Sequence, residues 1–184
     1  MKFSKLALIT AFTASVASFG VLAENTGTIK FTGNVVDSPC NIANKSLNQE
    51  ITFGQLSRKS LEAGNSAEVG FDIELTNCDL NTTGTGSTPG APVAIKTMEL
   101  TFTGQNYADG TNTLLATSTG NTNNLGIAID GFKFEEAKSV ISQMVNKKGG
   151  NTLSFKALAK AVTANEAVAE GQFSAITNFR ISYQ

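Results

Sequence analysis

Chemistry in this chain could begin at Cys40 and Cys78, the only two cysteines in its 184 residues. Two thiolates could bind a metal, but a tetrahedral site needs further nitrogen or sulfur ligands. The chain has no histidine and no other cysteine to supply them. The pair could also be two separate buried thiols, or one disulfide. The disulfide is the expectation, because both cysteines follow a stretch that reads as an export leader, and exported chains meet an oxidising compartment. Closing a loop of that length would stabilise the fold by about 4 kcal/mol on a chain-entropy argument.

The lack of histidine also removes the commonest general base. A serine nucleophile would have nothing to activate it. There is no G-x-S-x-G turn, no phosphate-binding glycine loop and no cluster of metal ligands. Adjacent Glu135 and Glu136 read as a solvated face and not as an acid–base couple. The chain is therefore expected not to be an enzyme, with no catalytic residue, no metal and no cofactor. With a net charge of −1 and no long basic run, nucleic acid is not an expected partner.

The first 23 residues read as a secretory signal peptide. Lys2 and Lys5 give the positive start, residues 6–16 the apolar run, and Val21-Leu22-Ala23 the small-residue cleavage site. An uncleaved anchor is the competing reading, weakened because Thr10, Thr13 and Ser15 break a short run. The mature chain then starts at Glu24, and no membrane insertion of it is expected.

The elements that must position the cysteines read as strands. Gly27, Ile29, Phe31, Gly33 and Val35 alternate with Thr28, Lys30, Thr32 and Asn34, the pattern of a half-buried strand. Further candidates are 51–53, 69–75 (with Val69, Phe71, Ile73 and Leu75 facing one way), 98–102, 125–129 and 153–159. A last strand carries Phe173, Ala175, Phe179, Ile181 and Tyr183 on one face. Residues 134–145 fit a short helix or a loop, with Val140, Ile141, Met144 and Val145 as its apolar side. Residues 81–92 read as a surface loop, in which the sequon Asn81-Thr82-Thr83 carries no expected function. Residues 104–124 read as polar and turn-rich, and 147–150 as a turn. About seven short strands separated by turns predict an all-β sandwich of one domain.

Strand patterns at both ends are the unusual feature, because termini are commonly loose unless tied down. The N-terminal pattern lies before Cys40, outside the loop a disulfide would close. On alternation alone it is either the first strand of its own domain or an unpartnered strand able to pair with another sheet.

Several features together resolve this. They are Gly27-x-Ile29-x-Phe31-x-Gly33-x-Val35-Val36, then Cys40, then Cys78 after a strand and Asn77. The last is an ending in which Gly171 precedes Phe179-Arg180-Ile181-Ser182-Tyr183-Gln184. With these the chain resembles the major subunits of chaperone–usher fimbriae, the type 1 pilin family, over essentially its whole length. Gly171 and Tyr183 take the places of that family's C-terminal glycine and penultimate tyrosine.

The resemblance implies an incomplete immunoglobulin-like β-sandwich lacking its last strand. A periplasmic pilus chaperone would first fill the gap. The N-terminal extension of a neighbouring pilin subunit would replace it at an outer-membrane usher, building a homopolymer. Chaperone–pilin complementation is itself an established instance of β-strand addition. The implied parts are a signal peptide (1–23), a donor extension leading into the first strand (24–36) and a pilin domain (37–184). The donor residues would be Gly27, Ile29, Phe31, Gly33 and Val35. The chaperone would meet the C-terminal strand at Gly171, Phe173, Phe179, Ile181 and Tyr183, residues that also read as core. The implied function is a structural subunit of an adhesive cell-surface fimbria. The alternative is a minor, adaptor or single-domain adhesive subunit that binds a host receptor.

Overall fold

A long alternating segment organises the molecule. Asn151, Leu153, Phe155, Ala157 and Ala159 are buried, while Thr152, Ser154 and Lys156 between them are exposed. A period of two over this length can bury one face only as a strand. These residues form the centre of β7 (Lys148–Ala161). The computed structural model that defines this fold describes residues 27–81 and 95–184. The expected leader lies outside the described residues, as does nearly all of the expected loop at 81–92. The described residues fall into two units, 27–35 and Val36–Gln184.

In the second unit the order is β1 (Asn41–Ile42), α1 (Asn44–Leu47), α2 (Arg58–Glu62), β2 (Ala67–Asp79), β3 (Met98–Gly104), β4 (Leu115–Ala116), β5 (Leu125–Ile129), β6 (Lys138–Ser139), β7 and β8 (Thr177–Tyr183). One sheet has the order β1-β2-β7-β5-β4 and the other β6-β3-β8. Every pairing is antiparallel.

The core lies between the sheets. Ile73 and Leu75 of β2, Leu100 and Phe102 of β3, Ile127 and Ile129 of β5 and Leu153 of β7 are all buried there. Phe71, Phe102, Phe132 and Phe155 pack as a ring cluster. Phe102 meets Phe132 edge-on at 5.1 Å and Phe155 edge-on at 5.7 Å, arrangements that favour the positive ring edge against the negative face. Buried Asn151 is satisfied: its side chain accepts from the Asn146 N–H and donates to the Asn146 carbonyl, as burial of an amide requires.

Three expectations need correction. Residues 51–53 form no strand, because no neighbouring strand offers them a ladder. The expected turn at 147–150 is instead the start of β7, where Gly149 takes φ +95° opposite a bulge in β2. The last strand starts only at Thr177; residues 173–176 keep their inward–outward alternation without a ladder. The undecided stretch 134–145 resolves into β6 and a 3-10 turn at Ile141–Gln143. There Phe134 and Val140 are buried, while Val145 is 87% exposed. The polar stretch 104–124 contains β4, and the Asp109 carboxylate organises the loop before it by accepting from the Thr111 and Thr113 hydroxyls and the Thr113 and Leu114 N–H groups.

An apolar groove lacking one strand

Cys40 and Cys78 form a disulfide, and local geometry explains how. Leu75 and Cys78 are both buried, although three residues apart in a regular strand point to opposite faces. The pairing with β7 shifts register between Leu75 and Cys78, and Asn77 takes φ +52°. This bulge turns Cys78 back to the inner face, where Cys40 meets it just ahead of β1.

Residues 27–35 are in no helix or strand. Ile29, Phe31 and Val35 are 78%, 88% and 103% exposed. A Cβ built on Gly27 or Gly33 would touch nothing, so neither glycine is explained by crowding within its own chain. The alternation is carried by the sequence alone here: every residue from 27 to 35 is exposed and none is in a ladder.

The second unit contains the complementary feature, a groove of about 950 Å³. Its floor is apolar: Ile73, Phe102, Ile127, Ile129 and Ala157 line it, and four of these five are core residues of the larger sheet. One wall is residues 49–54, with Ile51 and Phe53 half-buried and Thr52 and Gly54 exposed. The other wall is residues 171–179, with Phe173, Ala175, Thr177 and Phe179 turned inward. Among the described residues, the backbones of 49–54 and of 171–176 make no backbone–backbone hydrogen bond. β8 pairs with β3 on one side only. Two strand-like walls with free main-chain groups, flanking an apolar floor, leave a place for a strand that is not there.

Of the C-terminal residues singled out from the sequence, Gly171, Phe173 and Phe179 fall on this wall, while Ile181 and Tyr183 lie beyond it on β8. Gly171 holds φ +137°, backbone that side chains rarely adopt. Phe179 and Ile181 pack against the main core. Tyr183 stands opposite Met98 across the β3–β8 ladder. Burial pushes the Tyr183 phenol above its ordinary value, and a hydrogen bond with the Ser38 side chain partly opposes this. Sequence reading missed the opposite wall as a site. Its signal was the alternation of Ile51 and Phe53, read as an ordinary strand.

The class of protein so defined is an immunoglobulin-like sandwich one strand short, with its cleft open to a strand from outside. A family model described as fimbrial protein matches residues 29–184, and the chain belongs to that family. KS71A fimbrillin of Escherichia coli is 36% identical over 95% of this chain and 96% of its own length. The Pap fimbrial major pilin protein of Escherichia coli is also 36% identical, with the same coverage of each chain. Fimbria A protein of Serratia marcescens is 33% identical over the full length of both. Among solved structures, a chaperone–usher pilus matches with a TM-score of 0.68 at 36% identity, covering 89% of this chain and 98% of that one. The P pilus rod subunit PapA matches with a TM-score of 0.62 at 36% identity, covering 80% of this chain and all of that one. Membership places the chain among structural pilins.

Proposed function

We propose that this chain is the rod-type structural subunit of an adhesive surface fimbria, polymerised by strand donation. Residues 1–23 direct export, residues 24–36 are the donor extension, and residues 37–184 are the acceptor domain. The extension of one copy enters the groove of the next. Its main chain pairs with the free edges of both walls, and Ile29, Phe31 and Val35 fill the floor. Gly27 and Gly33 allow close approach where a side chain would collide with the neighbour. Burying the three large side chains contributes about 5–9 kcal/mol, at roughly 1.5–3 each. In transit through the periplasm a chaperone strand occupies the same groove, meeting Gly171, Phe173, Phe179, Ile181 and Tyr183, and an outer-membrane usher exchanges it for the next subunit.

The observation that carries this reading is the pairing of two incomplete halves: an exposed apolar row at 27–35, and an apolar groove whose walls lack partners. The major-pilin relatives favour a rod subunit over a tip adhesin or adaptor. The direct experiment deletes residues 24–35 from the chromosomal copy and images the cell surface. No filaments are expected; intact filaments would end the proposal.

A further inference from the structure

A ring pair bridges the two walls of the groove. The Phe53 ring, on the 49–54 wall, lies 6.1 Å centroid to centroid from the Phe173 ring, on the 171–179 wall, inclined at 48°. Among the described residues it is the ring pair that joins the two walls. A strand inserted between two others needs about 4.8 Å on each side, so its lane must be about 9–10 Å wide between the flanking backbones. Both rings line the groove, so rings paired across it stand where the inward side chains of an inserted strand must go.

The two sides of this contact differ in stiffness. Phe173 packs against both the main core and the smaller cluster of Leu61, Leu125 and Val168. The chain leading to it is tied to α2: the Val168 N–H donates to Glu62 Oε1 at 3.0 Å, and Arg58 pairs with Glu170 at 3.1 Å. Phe53 also packs against the main core, but its segment has no backbone ladder, is tied to β2 chiefly by the Gln49 side chain donating to the Asp72 carbonyl, and continues into Gly54 at φ +65° with open space around it. The Phe53 side is therefore the one able to swing.

We propose that Phe53 and Phe173 form a latch across the empty groove that the first strand to enter must part before it can seat, so that this ring pair limits the rate at which an unfilled groove takes up a strand. The inference rests on the strand-acceptance reading above. It makes the two phenylalanines positioning residues that act on the rate of entry, beyond their share of the apolar lining. A residue that only lines the groove stabilises the seated strand, and its loss speeds dissociation. A latch stabilises the empty groove, and its loss speeds association.

The test uses the purified chain, kept dilute so that its own copies do not assemble, with an excess of a fluorescent peptide of residues 24–36. Association and dissociation are followed by stopped-flow anisotropy. Phe53→Ala is expected to raise the association rate about two- to tenfold, the range an aromatic pair is worth. Phe53→Leu, which keeps an apolar lining but removes the ring pair, is expected to give a smaller rise. It carries the test should the alanine variant fail to fold. An unchanged or slower association with faster dissociation in both variants would overturn the latch and leave strand acceptance intact. Failure of the peptide to bind the folded unsubstituted chain and the folded Phe53→Leu variant alike would overturn strand acceptance, and the latch with it.

Discussion

Phe31 and Gly171 show how little of a side chain, or how much, a position can require. Phe31 is 88% exposed in its own chain, so Phe31→Asp removes no contact of its own fold. It would place a charge in a neighbour's apolar floor, where an unpaired carboxylate is heavily penalised. Filament assembly by that variant is expected to fail while its circular dichroism and melting temperature stay unchanged. Gly171 is the opposite case. At φ +137° a β-branched residue is strained, and Gly171→Val is expected to destabilise the domain by about 1–3 kcal/mol in urea titration. Two ionisable groups illustrate the pH dependence. Tyr183 is raised by burial, so its contribution is complete below the ordinary tyrosine value near 10 and is lost as pH rises through its higher folded value. Tyr183→Phe should blunt the alkaline loss of stability. Burial acts to raise Asp109, but hydrogen bonds from Thr111, Thr113 and Leu114 together outweigh it and the carboxyl is lowered. Its contribution is therefore present above the ordinary aspartate value and fades as pH falls through the folded one. Asp109→Asn should flatten the acid side of a melting-temperature profile.

At the scale of elements, what the sequence makes legible depends on length. β2, β3, β7 and β8 repeat a two-residue period long enough to be recognised, and in β2 the four residues read as facing one way, Val69, Phe71, Ile73 and Leu75, are all more buried than their neighbours. β1, β4 and β6 have two residues each, too few to show any period. α1 and α2 are one turn long and carry no apolar stripe. Residues 51–53 and 173–176 are the instructive failures. Their alternation is real, but a ladder needs a partner, and no described segment of the same chain provides one. The apolar alternation at 27–35 was legible as a strand pattern placed outside the disulfide loop, and the donor role proposed for it rests on that placement. The groove itself was not legible, because it is formed by residues brought together from 42–54, 71–73, 102, 115–129, 157 and 171–179. α2 has a purpose visible only in three dimensions. Glu62 accepts from the Val168 N–H and the Arg58 side chain and so anchors the approach to the groove wall. Glu62→Ala is expected to cost about 1 kcal/mol and to raise hydrogen exchange in residues 165–176 more than in β7.

For the molecule as a whole, the proposed donor row and the proposed acceptor groove lie on separate units, and this separation predicts an asymmetry. A copy carrying Phe31→Asp cannot donate and should be left out of growing filaments. A copy carrying Ala175→Asp, with a charge turned into the groove, can still donate but cannot accept. Mixed as purified chains with the native one, so that delivery by a chaperone is not required, the second should shorten filaments in electron micrographs and the first should not; equal effects would show that the two activities are not separable. The disulfide has a further consequence under tension. Pulling on a filament would load each subunit where the extension joins its domain, near Val36. β1, just beyond, is held by only two residue pairs, which shear would part easily. The sulfur–sulfur link at Cys40 carries that pull past β1 directly into β2, the strand paired along most of its length with β7. Residues 41–77 then stay in a closed ring even if the ladder yields, so a stretched fibre could lengthen at its joints without paying out that part of each subunit.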